Sequence, residues 1–329
     1  MKVNNTNSIT ILFALTTLTT LAGSRPDAHA PIGVMGDHVH AKGEFMVSYR
    51  AMTMGMNQIF DGSRSIGGNA GYMVAPSQMT MDMNMLGIMY APTSKLTLMV
   101  MSSYKHNTMD MQNPMGVKVM EMKSSGMGDT GFSAYYQVLN QKHGRGSINA
   151  HIGLGLSLPT GDIDKKARNG RDLPFPMQLG SGTYDLSPSA TYNHYIDDFW
   201  SWGGQAKATF HTRTNDAGYT LGNNINLTTW VARKLNANFS VSGRVNFKAW
   251  SGVDGTQTNS LNSMNPMMSL PADPNNSGGT RTDLYFGLNY IHDSGVRLAT
   301  EIGKTVYQDL QGVQLGNDWS LNFGVQYAW

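Results

Sequence analysis

The chain has 329 residues, 14% of them charged, with a formal net charge of +2 and no cysteine. This charge balance offers no basic stripe for nucleic acid, and the lack of cysteine excludes disulfides, thiolate metal sites and cysteine nucleophiles. Glycine is abundant, with 37 residues, and Asn, Ser, Thr and aromatic residues recur along the chain. Such a composition is typical of short strands and turns rather than helices.

The N-terminus has the pattern of a secretory signal peptide. The apolar run 9–22 is too short to cross a bilayer as a helix. Ala28-His29-Ala30 has the A-x-A form of a cleavage site, but Pro31 would hinder a cut directly before it, so we predict cleavage after Ala28. The predicted organisation is a signal peptide over 1–28, a periplasmic N-terminal segment over 29–42 and an outer-membrane β-barrel over 43–329.

After residue 42, apolar residues alternate with small or polar residues in twelve segments. A period of two is that of a strand and not of an amphipathic helix. In a membrane barrel the apolar positions face lipid and the positions between them face the lumen. In chain order the predicted strands are 43–55, 79–91, 94–107, 127–139, 146–158, 183–196, 199–213, 218–233, 237–250, 281–292, 295–305 and 317–329.

The connections between these segments alternate between long loops and tight turns, as outer-membrane barrels require. We therefore predict an all-β fold, a transmembrane antiparallel barrel of about 12 strands in the outer membrane of a Gram-negative bacterium. A soluble periplasmic all-β protein also alternates, but its second face should carry more charge than these Ser, Asn, Gly and Gln positions. The predicted long loops are 56–78, 108–126, 159–182, 251–280 and 306–316.

The last predicted strand is the clearest of the twelve. Its apolar residues occupy every second position from Trp319 to Trp329, and the sequence ends on that aromatic residue. A soluble chain has little reason to place an aromatic where ends fray. The pattern resembles the signal read by the outer-membrane assembly machinery. We therefore expect that machinery as a partner through the Trp329 strand, with outer-membrane lipid and lipopolysaccharide around the barrel, and no nucleic acid.

Several short motifs carry a family resemblance that covers most of the chain after the signal peptide. They are Leu179-Gly-Ser-Gly-Thr-Tyr-Asp-Leu186, Ser157-Leu-Pro-Thr-Gly161, the aromatic C-terminus, Pro31-Ile-Gly-Val-Met-Gly-Asp-His38 and Ser48-Tyr-Arg50. Together they resemble a methionine-rich branch of the outer-membrane family named for a MetA pathway of phenol degradation, whose members are described as transporters. The resemblance implies a barrel, and the family name implies passage of small aromatic compounds.

Methionine is strongly skewed, because 20 of the 24 residues lie within 1–127. The strand alternation predicts that many of them face the lumen, and M-x-M spacing places two thioethers on one face of a strand, about 7 Å apart. Thioethers prefer soft ions such as Cu(I) and Ag(I) over hard cations. The candidate ligands for such an ion are Met81, Met83, Met85, Met99, Met101, Met109, Met111, Met120 and Met122.

These methionines also have interpretations without metal. Methionine is a flexible apolar filler, and its sulfur makes favourable contacts with aromatic rings. The same side chains could fill space or form a slide for apolar aromatic solutes. Both cargo hypotheses therefore stay open, and Cu(I) is the cofactor of the metal alternative.

Basic and histidine side chains on the predicted lumen faces are candidates for the pore wall, where charge sets ion preference. Ordinary lumen polarity explains them equally well. His38-Val-His40 could bind a metal through imidazole, although a solvated polar tail is the simpler interpretation. The pore-lining candidates are Arg50, His151, Lys207, His211, Arg213, Arg244 and Lys248.

No motif indicates catalysis. Ser157-Leu-Pro-Thr-Gly161 is not the G-x-S-x-G elbow of a serine hydrolase, and no phosphate-binding loop follows a strand. We predict no enzymatic activity. The predicted function is passive passage of small solutes, small aromatic compounds among them, through a channel restricted by its long loops. The alternative is a barrel that binds or passes Cu(I) or Ag(I) in copper handling or resistance.

Overall fold

The computed structural model describes residues 25–329. Most of the predicted signal peptide lies outside these residues, and its cleavage stays a prediction. In the described part, no helix has the length and apolar character needed to cross a membrane.

Fifteen strands make up most of the described chain. Antiparallel pairing joins thirteen of them into one large sheet, and the other two pair only with each other. The first eight are β1 Phe45–Gly62, β2 Arg64–Ile66, β3 Ala75–Thr93, β4 Leu96–Gln112, β5 Lys118–Met127, β6 Thr130–His143, β7 Gly146–Leu158 and β8 Asp185–Tyr195. The others are β9 Trp200–His211, β10 Tyr219–Thr220, β11 Asn224–Lys234, β12 Phe239–Trp250, β13 Asp254–Gly255, β14 Gly279–Ile291 and β15 Arg297–Ala328.

The sheet closes into a barrel because β15 pairs with both β14 and β1. Arg297 pairs with the end of β14, Leu310 pairs with Gly62 of β1, and Ala328 pairs with Met46 at the start of β1. The 32 residues of β15 therefore run up the barrel and back again, so the eleven strands of the ring make twelve crossings. This confirms the predicted antiparallel barrel of about 12 strands. Closure pairs the backbone groups that lipid could not satisfy.

Exposure alternates along the strands as the sequence predicts. In β3, Leu86 and Ile88 are 55% and 50% exposed, whereas Met85 and Met89 are 8% and 4% exposed. The first pair therefore faces the membrane side of the wall and the second pair faces the lumen. Aromatic residues near the strand ends stack on the outer face, among them Phe45 with Tyr90, as expected of an interfacial girdle.

Two predicted loops are wrong, and one of them, 306–316, lies entirely within β15. Residues 108–126 are not a loop but a hairpin, in which β4 continues to Gln112 and pairs with β5. A tight turn joins the two strands, with the N–H of Gly116 donating to the carbonyl of Asn113 at 2.9 Å and a φ of 76° at Gly116. The M-x-M spacing that suggested a metal loop is equally the period of a strand.

The two ends of the barrel differ. The short turns, the first residue of β1 (Phe45) and the last residue of β15 (Ala328) lie at one end of the barrel, here called the short-turn end. The long connections lie at the other end, here called the long-loop end. Residues 25–44, here called the inner plug, contact strands on opposite sides of the ring. The backbone N–H of His40 donates to the Thr97 hydroxyl of β4, and the Ser240 hydroxyl of β12 donates to the carbonyl of Pro26. The predicted periplasmic segment 29–42 is thus no solvated tail but lies inside the barrel.

Candidate functional site

The inner plug is held by side chains of the barrel wall that bond to its backbone. Arg50 donates to the carbonyls of Ile32 and Val34 at 2.7 and 2.9 Å. The Nε2 atom of His151 lies 2.9 Å from the carbonyl oxygen of Gly36, and Arg297 donates to Ala30 at 2.7 Å. Two predicted pore-lining residues, Arg50 and His151, therefore face the lumen. Their side chains bond to the plug and do not line an open, water-filled pore.

A third predicted residue, Arg244, belongs to a buried ion pair. Its Nε and Nη2 atoms lie 2.9 and 3.1 Å from the two carboxylate oxygens of Glu301. The guanidinium also lies over the ring of Tyr285, 3.8 Å from its centre, and Glu301 accepts the N–H of Gly33 at 2.6 Å. Glu301 is not among the predicted site residues, although its place next to the lipid-facing Ile302 in the strand alternation puts a carboxylate on the lumen face.

The remaining predicted pore residues lie toward the long-loop end. Lys207 and Lys248 are half-buried on the wall, and Lys248 lies over the ring of Trp250 at 5.5 Å. The Nε2 atom of His211 lies 3.8 Å from the Asp185 carboxylate. Arg213 differs from the prediction, because β9 ends at His211 and Arg213 is exposed in the loop beyond it.

The methionines form a grid across neighbouring strands. Met56 pairs with Met79, Met79 with Met109, and Met109 with Met122, so one row of four thioethers crosses β1, β3, β4 and β5. Directly opposed residues in antiparallel strands lie about 5 Å apart. A neighbouring row begins with the pair Met54 and Met81. Register between strands, which the spacing within one strand does not reveal, brings these side chains together.

The buried part of this grid, here called the methionine cluster, lies at the long-loop end. It contains eight methionines packed with Leu173: Met56, Met79, Met81, Met109, Met111, Met120, Met122 and Met177. Five of the nine predicted metal ligands lie in it. The other four do not: Met83, Met85 and Met101 are elsewhere on the wall, and Met99 packs near Met46, Met89 and Tyr135.

Loop 159–182 covers the methionine cluster and, with loop 251–278, is here called the outer plug. Leu173 and Met177 are fully buried against the wall methionines. Lys105 donates to the carbonyl of Leu179 at 2.7 Å, and Gln257 of the second loop donates to that of Leu173 at 3.0 Å. Met177 lies in a loop without periodicity, so no sequence signal marked it as a member.

Three histidines of the inner plug lie side by side. The ring of His38 is 4.5 Å from the rings of both His29 and His40, centre to centre. Asp37 lies between His29 and His38, with carboxylate oxygens 3.9 Å from His29 Nδ1 and 3.0 Å from His38 Nδ1. Burial lowers the pKa of His29 and of His40, so both imidazoles are neutral at pH 7.

A closed antiparallel ring with an apolar outer face and a plugged polar lumen defines a β-barrel of the outer-membrane type. The crystal structure of an outer-membrane channel from Pseudomonas putida F1 shares the fold, with a TM-score of 0.64 at 12% identity over 90% of this chain and 99% of that one. A FadL homologue of Pseudomonas aeruginosa is less similar, with a TM-score of 0.43 at 10% identity over 87% of this chain and 90% of that one.

The chain belongs to the family described as "Putative MetA-pathway of phenol degradation", which matches residues 62–266. This confirms the resemblance found in the sequence motifs. No curated protein matches the chain.

Proposed function

We propose that this barrel passes small solutes, small aromatic compounds among them, passively across the outer membrane, and that its two plugs control access. The observation that carries the proposal is the way the inner plug is held. Arg50, His151 and Arg297 bond to plug carbonyls from different strands, so the plug can detach while the strand pairing of the ring stays intact.

The outer half of the lumen favours apolar aromatic solutes over sugars or ions. Its wall carries thioethers rather than charges at the methionine cluster, and sulfur–aromatic contacts are favourable by about 0.3–1.5 kcal/mol each. The family name points in the same direction. A solute that enters past the outer plug would meet this surface before the polar inner half.

Planar-bilayer conductance and liposome uptake of phenol, benzoate and glucose test this function. We expect low resting conductance, and a larger conductance in a chain that begins at residue 43 and therefore lacks the inner plug. Phenol and benzoate should enter faster than glucose. Heat-modifiable gel mobility verifies that both proteins are folded. No conductance and no uptake by either folded protein would overturn the proposal.

Soft-metal binding is a second candidate function, favoured by the register of the methionines. Met79, Met109 and Met122 stand opposite one another on three strands and are almost fully buried. Neighbouring strands thus supply the converging thioethers that one strand alone cannot, as Cu(I) or Ag(I) binding requires.

Titration with Cu(I) and Ag(I) against a competing chelator tests the second function. Substitution of Met79, Met109 and Met122 by Leu keeps the apolar volume and should abolish binding. Met115 and Met264 are matched controls, because they are 82% and 81% exposed, and their replacement by Leu should change nothing. Equal affinity in the triple variant and the wild type would reject the soft-metal function.

A further inference from the structure

We propose that the inner plug carries a binding site for a divalent transition-metal cation, formed by the imidazoles of His29, His38 and His40 with the carboxylate of Asp37. Cu²⁺ should bind more tightly than Zn²⁺. The site is separate from the methionine cluster, which lies at the opposite end of the barrel.

The ligand atoms are already close together. One ligand atom each from His29, Asp37 and His38 lie within 4.8 Å of one another, and within 25–329 this is the single such group of three or more. A cation at their centre would sit about 2.0–2.2 Å from each nitrogen and oxygen. Small side-chain rotations of these three residues would close them around the cation, and His40, whose ring centre lies 4.5 Å from that of His38, would join them.

Unpaired buried nitrogens point to a missing ligand. The Nδ1 atom of His29 and the Nε2 atom of His40 are buried without a hydrogen-bond partner, whereas His38 Nδ1 faces the Asp37 carboxylate at 3.0 Å. Burying a polar atom without a partner costs roughly 1–3 kcal/mol, and native proteins leave few such atoms. A single cation would satisfy nitrogens of all three rings, which no one side chain of the surrounding wall does.

Glu44 orients His40 in the manner of a metal ligand. Its Oε1 atom lies 3.1 Å from His40 Nδ1, and its Oε2 atom accepts the N–H of Ala41 at 2.9 Å. Metal-ligating histidines usually donate the second ring N–H to a carboxylate or carbonyl, which fixes the tautomer and the ring orientation. The free Nε2 atom of His40, whose side chain is 1% exposed, is thereby left as the acceptor of a cation.

A cavity gives the cation space and a route. About 330 Å³ of open volume lies beside the cluster and is lined by His29, His38, His40 and Glu44, with wall residues of the short-turn end. Asp37 and Glu44 supply two negative charges there. The positive charge of Arg297 opposes a cation, but its guanidinium already bonds to Ala30 and to the wall amides Asn289 and Gln326.

The donor set selects the class of cation. Imidazole nitrogens with one carboxylate suit Zn²⁺, Cu²⁺ and Ni²⁺, whereas Ca²⁺ and Mg²⁺ require sets of oxygen ligands. Among divalent first-row ions a common N/O site binds Cu²⁺ most tightly. Because the ligands span residues 29–40, the cation would also tie the two ends of the plug segment together and hold it in the lumen.

The experiment titrates metal-stripped barrel, purified from outer membranes in detergent, with Cu²⁺ and Zn²⁺ against a competing chelator. We expect one equivalent of either ion, and nitrogen couplings from at least two imidazoles in the electron paramagnetic resonance spectrum of the Cu²⁺ form. His38→Gln should remove high-affinity binding, and Glu44→Gln should weaken it about 10–100-fold through His40.

The matched controls are His106→Gln and His292→Gln, because both residues are exposed and their side chains bond to neighbours two residues along the chain, Thr108 and Ser294. They should bind both ions like the wild type. Heat-modifiable mobility and circular dichroism verify that each variant is folded. Wild-type affinity in folded His38→Gln, or a Cu²⁺ spectrum without imidazole couplings, would overturn the proposal. The Met79, Met109 and Met122 variant should bind Zn²⁺ normally, which separates this site from the soft-metal function.

Discussion

Arg244 and Glu301 form a two-contact ion pair inside the barrel, and the same carboxylate receives the backbone N–H of Gly33. The pair joins β12 to β15 and joins both to the inner plug. Both side chains are almost fully buried, so each charge depends on the other for compensation. The stability of the barrel and the binding of the inner plug therefore both depend on the carboxylate of Glu301.

Substitution of Glu301 by Gln should destabilise the barrel by about 3 kcal/mol, because the Arg244 guanidinium would remain buried without a counter-charge. Urea unfolding in detergent micelles measures the change. Asp318→Asn is the matched control, since it removes an ion pair with Lys304 on a more exposed part of the wall. That variant should lose much less free energy of unfolding. Equal losses of stability in the two variants would contradict the coupling.

Gly36→Ala should unseat the inner plug. Gly36 has a φ of +64°, a conformation that costs a non-glycine residue about 1–3 kcal/mol. The added Cβ would also overlap the ring of Tyr135. We expect a higher single-channel conductance than in the wild type, recorded in planar bilayers.

The control for this change is Gly67→Ala, because a Cβ there meets no atom and the backbone is unstrained. Its conductance should equal that of the wild type. If Gly36→Ala also leaves conductance unchanged in a folded barrel, the plug does not limit passage.

Acidification of the metal-free protein should release the inner plug. The pKa values of His29 and His40 are lowered by burial, so the released plug binds more protons than the seated one. The plug bound in the lumen therefore keeps its full stability at pH values above the ordinary histidine pKa of about 6.5. It loses stability as the pH drops below that value. The titratable and charged groups that face these rings are His38, Asp37, Glu44 and Arg297.

The readout is proteolysis of the inner plug, or conductance, between pH 7.5 and 5. Both should rise as the pH falls. His40→Gln removes one of the two shifted groups and should flatten the curve, whereas His292→Gln, at an exposed site, should not. A plug that becomes better protected at low pH would reverse the expected sign.

The mature chain should begin at His29, as the cleavage prediction requires. Intact mass of protein purified from outer membranes tests this directly. In the structure Arg25 contacts Asp27 and donates to the carbonyl of Asp197 at 2.7 Å, and cleavage after Ala28 would remove both contacts. A mass that retains Arg25 would move the cut upstream and leave those contacts in the mature plug.

Much of the barrel could be predicted because the membrane acts on each residue separately. Lipid outside and polar groups inside impose a period of two, so the faces of β3 follow from Leu86 and Ile88 alone. The crossings of β15 follow from the same period. The hairpin of β4 and β5 follows from the same period, because Met109 and Met111, and Met120 and Met122, are each two residues apart.

The sequence by itself thus determined the barrel, its approximate strand number and the lumen orientation of Arg50, His151 and Arg244. Only the tertiary structure decided what these residues face. Glu301 lies 57 residues from Arg244 in the chain and 268 from Gly33, and local periodicity carries no information about such pairs. Closure of the ring sets which strands are neighbours, and the plugs then fill the enclosed space. The methionine cluster and the histidines at His29, His38 and His40 are products of that closure.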